Sequence, residues 1–89
     1  MAEQKIKQDD TIHIGNNIRL IRKERKVGQT ALVRQLQLMG VDMTRETLVK
    51  IERGIQHVQA SQLRGIRDVL QTTYDALLAE YRDAYSASA

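Results

Sequence analysis

The chain has 89 residues, with 14 basic and 11 acidic side chains, a formal charge of +3, and no cysteine, proline, phenylalanine or tryptophan. Such a chain makes one small domain with a thin core, and the missing cysteines exclude both a disulfide framework and a thiolate metal site. His13 and His57 are far apart, no apolar run reaches the roughly 18 residues of a membrane span, and no signal-peptide pattern opens the chain, so a cytoplasmic protein without metal or cofactor is expected.

Good helix formers dominate the composition, which favours an all-α fold. The charge is unevenly spread. Residues 14–58 carry nine basic and four acidic side chains, whereas the segments on either side are each slightly acidic. An excess of this kind in the middle of the chain suits a face that meets a polyanion.

The opening MAEQKIKQDD is polar and aperiodic, and residues 1–12 are expected to form a mobile tail. Asp10 or Thr11 can cap a first helix, in which Ile14, Ile18 and Ile21 recur at helical spacing as the buried stripe. That helix should end around Lys26, before Gly28. A second helix starts near Gln29 and turns Leu32, Val33, Leu36 and Met39 to one side, with Gly40 as a left-handed cap.

After a connector, Thr44 is a good N-cap for a third helix that Gly54 closes. A polar loop, IQHVQA, follows. Ser61 can cap a fourth helix with Leu63, Ile66, Val69 and Leu70 inward, and Gly65 within it costs about 1 kcal/mol relative to alanine. Thr73 can cap a fifth helix carrying Tyr74, Leu77, Leu78, Tyr81 and Tyr85. The domain is expected to span residues 13–80, with 81–89 as a helix extension and tail.

The third helix, TRETLVKIERG, divides by helical phase at about 100° per residue. Thr47, Leu48 and Ile51 fall on a buried side; Arg45, Glu46, Val49, Lys50 and Arg53 fall outside. Glu46 and Lys50 form an i, i+4 pair of the favoured orientation, and a merely solvated face would look the same. Two details resist that reading. Val49 is β-branched and apolar on the outer face, and Glu52 lies on the boundary, where it needs a cation from a neighbouring element.

Over residues 14–78 the chain resembles the Cro/CI-type helix-turn-helix family, the lambda-repressor-like (XRE) DNA-binding domains. IGNNIRLIRKERK, Gln29 opening the second helix, LVRQL, TRETLVKIERG, LRGIRDVL and TTYDALL carry the likeness. The resemblance implies a compact five-helix fold with the helix-turn-helix at helices two and three. It places Arg45, Glu46, Val49 and Lys50 where the family reads base edges in the major groove. Gln29 stands where a glutamine bonds a phosphate, aided by its helix's positive end. Arg22 and Glu52 match a structural ion pair of the family.

Side-chain chemistry says what such contacts do. Arg45 or Lys50 can donate to guanine O6 and N7, Glu46 can accept from cytosine N4, and Val49 can touch a thymine methyl. Thr44, Arg53, Gln56 and His57 are candidate phosphate contacts, which position a domain without reading sequence. The sequence also departs from the family pattern. Gly28 precedes the helix-two glutamine, Val33 replaces a small alanine, Arg67 replaces a small residue of helix four, and the connector before Thr44 is about five residues longer than the tight turn.

The function implied is a sequence-specific duplex-DNA-binding transcriptional regulator, a repressor in preference to an activator. Such domains bind pseudo-palindromic sites as dimers, so a homodimer is expected, with Tyr81 and Tyr85 either contributing to self-association or respectively capping the core and fraying. An antitoxin of a toxin–antitoxin pair and a helical protein-interaction adaptor are the alternatives. RNA recognition by base stacking is disfavoured because no aromatic residue precedes Tyr74. No histidine or carboxylate pair assembles a catalytic site, so an enzyme is not expected, nor is a small-molecule ligand evident.

Overall fold

Ile14, Ile18 and Ile21 are buried together with Leu32, Leu36, Leu48, Ile51, Ile66 and Leu77, drawing their helices onto one core. The computed structural model describes residues 5, 6 and 13–80, the first two through their backbone. Its helices among these residues are α1 (Ile14–Glu24), α2 (Gln29–Leu38), α3 (Arg45–Glu52), α4 (Ala60–Leu70) and α5 (Tyr74–Leu77). Helix α1 packs against α3, α4 and α5, while α2 packs against α3 and α4. The described fold is therefore all-α apart from one short ladder. No helix among the described residues is long and apolar enough to cross a membrane.

That ladder is unexpected from the sequence. Strand β1 (Lys5–Ile6) runs antiparallel to β2 (Val58–Gln59), with Lys5 opposite Gln59 and Ile6 opposite Val58. Within the stretch expected to form a mobile tail, Lys5 and Ile6 are thus paired with β2. The loop IQHVQA is also not loop throughout, because Val58 is fully buried and paired. Two-residue strands leave no period-2 pattern to read, and their pairing spans most of the chain.

Helix α1 begins at Ile14 with His13 at the cap position, so the Asp10 or Thr11 cap is displaced; both residues lie outside those described. It ends at Glu24, short of Lys26. Lys26 itself adopts a left-handed conformation (φ 58°), and the Val27 amide then returns to the Arg22 carbonyl at 3.0 Å. Gly28 lies between the helices with an extended backbone and serves as the N-cap position of α2.

Helix α2 starts at Gln29 as expected but stops at Leu38, with Met39 as its cap. Met39 was expected inward and is about half exposed, lining a surface cleft with Val41, Arg64 and Tyr74. The end of α2 overruns the core, and Met43, fully buried in the connector, supplies the apolar anchor instead. Gly40 (φ 81°) takes the left-handed step that turns the chain there. Two glutamines fasten the connector: the Gln37 amide donates to the Met43 carbonyl at 2.8 Å, and that of Gln62 to the Asp42 carbonyl at 3.0 Å.

Helix α4 begins one residue before Ser61, with Gln59 at the N-cap position. The Gln59 amide donates to the Gln62 side-chain oxygen at 2.9 Å, which satisfies one of the orphan donors of a helix start. Gly65 sits at a close contact: a Cβ there would lie 2.8 Å from a Leu36 methyl and 3.1 Å from a Val41 methyl, so a larger residue would require those side chains to shift. Arg67 points away from this contact. It lies outward over the Tyr74 ring, 4.5 Å from the centroid, and donates to Asp68 at 2.7 Å. That hydrogen bond raises the Arg67 pKa above its ordinary value.

Helix α5 is capped as expected, with the Thr73 hydroxyl accepting from the Ala76 amide at 3.0 Å, but it is only four residues long. Leu77 is buried, whereas Tyr74 and Leu78 face solvent, so the expected stripe does not extend through them. Asn17 closes this end by donating to the carbonyls of Leu77 and Ala79, each at 2.9 Å. Tyr81 and Tyr85 lie outside the described residues.

Candidate functional site

Helix α3 is placed by its inner face. Leu48 and Ile51 are fully buried, and Gly15 of α1 sits against the Ile51 backbone so closely that a Cβ would collide with its carbonyl. Only glycine permits α1 and the last turn of α3 to touch in this way.

Beside that contact lies a buried polar cluster. Arg22 and Glu52 form a two-pronged ion pair, with Nε to Oε2 at 2.8 Å and Nη2 to Oε1 at 3.0 Å. The third guanidinium nitrogen, Nη1, donates to the Val27 carbonyl at 3.0 Å, within the α1–α2 turn. The Gln29 amide adds a donor to Glu52 Oε1 at 3.1 Å. One carboxylate therefore ties α1, the first residue of α2 and the last residue of α3 together. The pairing of Arg22 with Glu52, implied by the resemblance and supported by helical phase, is present. A buried charge is tolerated only when fully hydrogen-bonded, and no buried side-chain polar atom among the described residues lacks a partner.

The cap at the other end of α3 is also as expected. Thr44 Oγ1 accepts from the Thr47 amide at 3.1 Å and donates its own proton to Thr47 Oγ1 at 3.0 Å. The Thr44 hydroxyl is therefore committed, and it would have to rotate to donate to a phosphate. Thr47 is half-buried rather than fully inward, because its hydroxyl stays with this cap.

On the outer face Arg45, Glu46, Lys50 and Arg53 are exposed, while Val49 is half-buried and so lies nearer the flank than the centre. Lys50 Nζ meets Glu46 Oε1 at 3.2 Å. Arg45 and Arg53 make no side-chain ion pair among the described residues. Beyond Gly54 (φ 78°), Gln56 is half-buried and His57 exposed, both in the stretch leading to β2. Gln29 is half-buried; Glu52 takes one of its two amide hydrogens, and the other is left for a further acceptor.

The fold thus brings Gln29 to the C-terminal turn of α3 and leaves Arg45, Glu46 and Lys50 outside on the same helix. Sequence reasoning missed Gly15 and Asn17 as positioning residues. A glycine directly after the first buried isoleucine was the available sign for Gly15; Asn17, with no periodic signature, had none. Comparison of the chain with protein-family models, with curated proteins and with solved structures returned no match.

Proposed function

We propose that the chain is a sequence-specific duplex-DNA-binding transcriptional regulator, a repressor, in which α2 and α3 act as a helix-turn-helix of Cro/CI type. The observation that carries this reading is the Glu52 cluster. It fixes α3 by its inner face to both preceding helices, at the cost of burying two charges, and leaves a mostly cationic outer face exposed. A helix held so firmly, with long polar side chains on its free side, has the form of a reading head for a major groove about 12 Å wide.

In this reading Arg45, Glu46 and Lys50 meet base edges, with Val49 at the flank of the contact. Gln29 places its remaining amide hydrogen and the N-terminus of α2 toward a phosphate. Arg53, Gln56 and His57 follow α3 and add backbone contacts. The long connector is compatible with this arrangement because Gln37, Gln62 and Met43 hold it. Two copies on a pseudo-palindrome would place their α3 helices about 34–36 Å apart.

Selection of bound sites from random duplex DNA, followed by binding isotherms at several salt concentrations, tests the proposal. Enrichment of a two-fold related site is expected, with an affinity that falls steeply as salt rises. Arg45→Ala and Lys50→Ala should weaken binding to that site more than to unrelated duplex. Recovery of no sequence, together with a flat salt dependence, would sink the reading.

A further inference from the structure

Glu46 stands out on the outer face of α3. It is a carboxylate on a surface that is otherwise cationic, its side chain is 79% exposed, and its partner among the described residues is Lys50 at 3.2 Å. We propose that Glu46 and Lys50 work as one coupled reading unit, in which Glu46 holds Lys50 away from phosphates and releases it only where cytosine is within reach of the carboxylate. The inference rests on the proposed function and adds a sequence requirement to it: a cytosine and a guanine on neighbouring base pairs of each half-site.

In water the pair is cheap to separate; the cost arises at the DNA surface, where Glu46 would be left without its cation. On unrelated duplex, Lys50 can gain a phosphate only by leaving Glu46 unpaired beside a dense row of negative charge, and like-charge juxtaposition is strongly unfavourable at an interface. On a matching site, cytosine N4 donates to the carboxylate while the ammonium turns to guanine O6 and N7. Both charges are then satisfied. Residues four apart on a helix are separated by about 6 Å along its axis, but the charged ends of Glu46 and Lys50 already converge to 3.2 Å, so the two side chains can address neighbouring base pairs.

Glu46 in this role acts against wrong sites as much as for the right one. A purely structural account exists, since an acidic residue in the first turn of a helix favours the helix dipole. That account predicts a change in melting temperature and none in base preference.

The test uses the full chain and its Glu46→Gln and Glu46→Ala variants in the same random-duplex selection, with titrations against an unrelated duplex over a salt series and thermal melts of each variant. The wild type should enrich a fixed cytosine in each half-site. Glu46→Gln should shift that position toward adenine, which glutamine pairs with through N6 and N7. Glu46→Ala should lose the preference there by about fivefold or more. It should also bind unrelated duplex more tightly, with a log–log salt slope steeper by about 0.9, one further phosphate being neutralised. Unchanged cytosine enrichment in both variants, or unrelated-duplex affinity that does not rise in Glu46→Ala, overturns the coupled unit while the reading of α3 as the DNA contact stands. If the wild type itself enriches nothing, the DNA reading fails and the coupled unit with it.

Discussion

Helix α3 carries two glutamates six residues apart, and the chain treats them in opposite ways. Glu52 is buried and receives three hydrogen bonds, two from Arg22 and one from Gln29. Glu46 is in solvent with one lysine beside it. In a low-dielectric setting an ion pair is strong once made and ruinous to half-break. In water the same pair is worth little, and each partner can exchange for another ligand. The inner pair therefore suits permanence and the outer pair suits exchange, so one short helix has a fixed side and a side free to change partners.

Removing Arg22 should produce the largest effect. Arg22→Ala leaves a buried carboxylate without its cation, and chemical denaturation should show a loss of about 3–5 kcal/mol. Replacing both partners, as Arg22→Met with Glu52→Leu, should recover most of that loss, because the penalty belongs to the unpaired charge. Full retention of stability by Arg22→Ala would erase the contrast between the two faces. Gly15→Ala comes next, at about 1–3 kcal/mol, through the collision of its methyl with the Ile51 carbonyl. Urea midpoints for Ala and Val at this position should fall in that order of bulk.

Thr44→Ala removes the cap of α3 and should cost about 1 kcal/mol in the same assay. Thr44→Ser should restore most of it, which separates the cap from the loss of the methyl. The smallest effect on stability belongs to the outer pair. Lys50→Ala should cost no more than about 0.5 kcal/mol, and a small effect of that size should vanish further in high salt. A Lys50→Ala penalty comparable to that of Arg22→Ala would mean that the outer pair is structural after all.

The parts of this architecture that sequence alone exposed are those written in helical phase or in cap chemistry. The isoleucine stripe of α1, the Thr44 and Thr73 caps, the left-handed Gly40 and Gly54, and the approach of Arg22 to Glu52 all follow from spacing and residue type. What stayed hidden depends on long-range contacts. Arg25, the C-cap of α1, has its Nε donating to the Leu70 carbonyl at the end of α4. Gln37, Gln62 and Asn17 likewise join side chains to distant backbone carbonyls, a kind of bond that no periodicity announces. Helix α5 was read too long because Tyr74, Leu77 and Leu78 share a helical spacing; only Leu77 reaches the core. For the outer face of α3, sequence supplied the residues and the Glu46–Lys50 pair, and the structure added that the Thr44 hydroxyl is spent on its cap.

The β1–β2 ladder has a kinetic consequence. Joining Lys5–Ile6 to Val58–Gln59 closes a loop of about fifty residues for the return of two residues per strand. The entropy of that closure is recovered only after α1, α2 and α3 have shortened the gap by folding, so the ladder should form last. By the same reasoning it should open first, with its amides exchanging with solvent well before those of α1. Lys5 and Ile6 would then come and go from their place beside β2 while the helices remain assembled, making the ladder a latch on helices that are already packed.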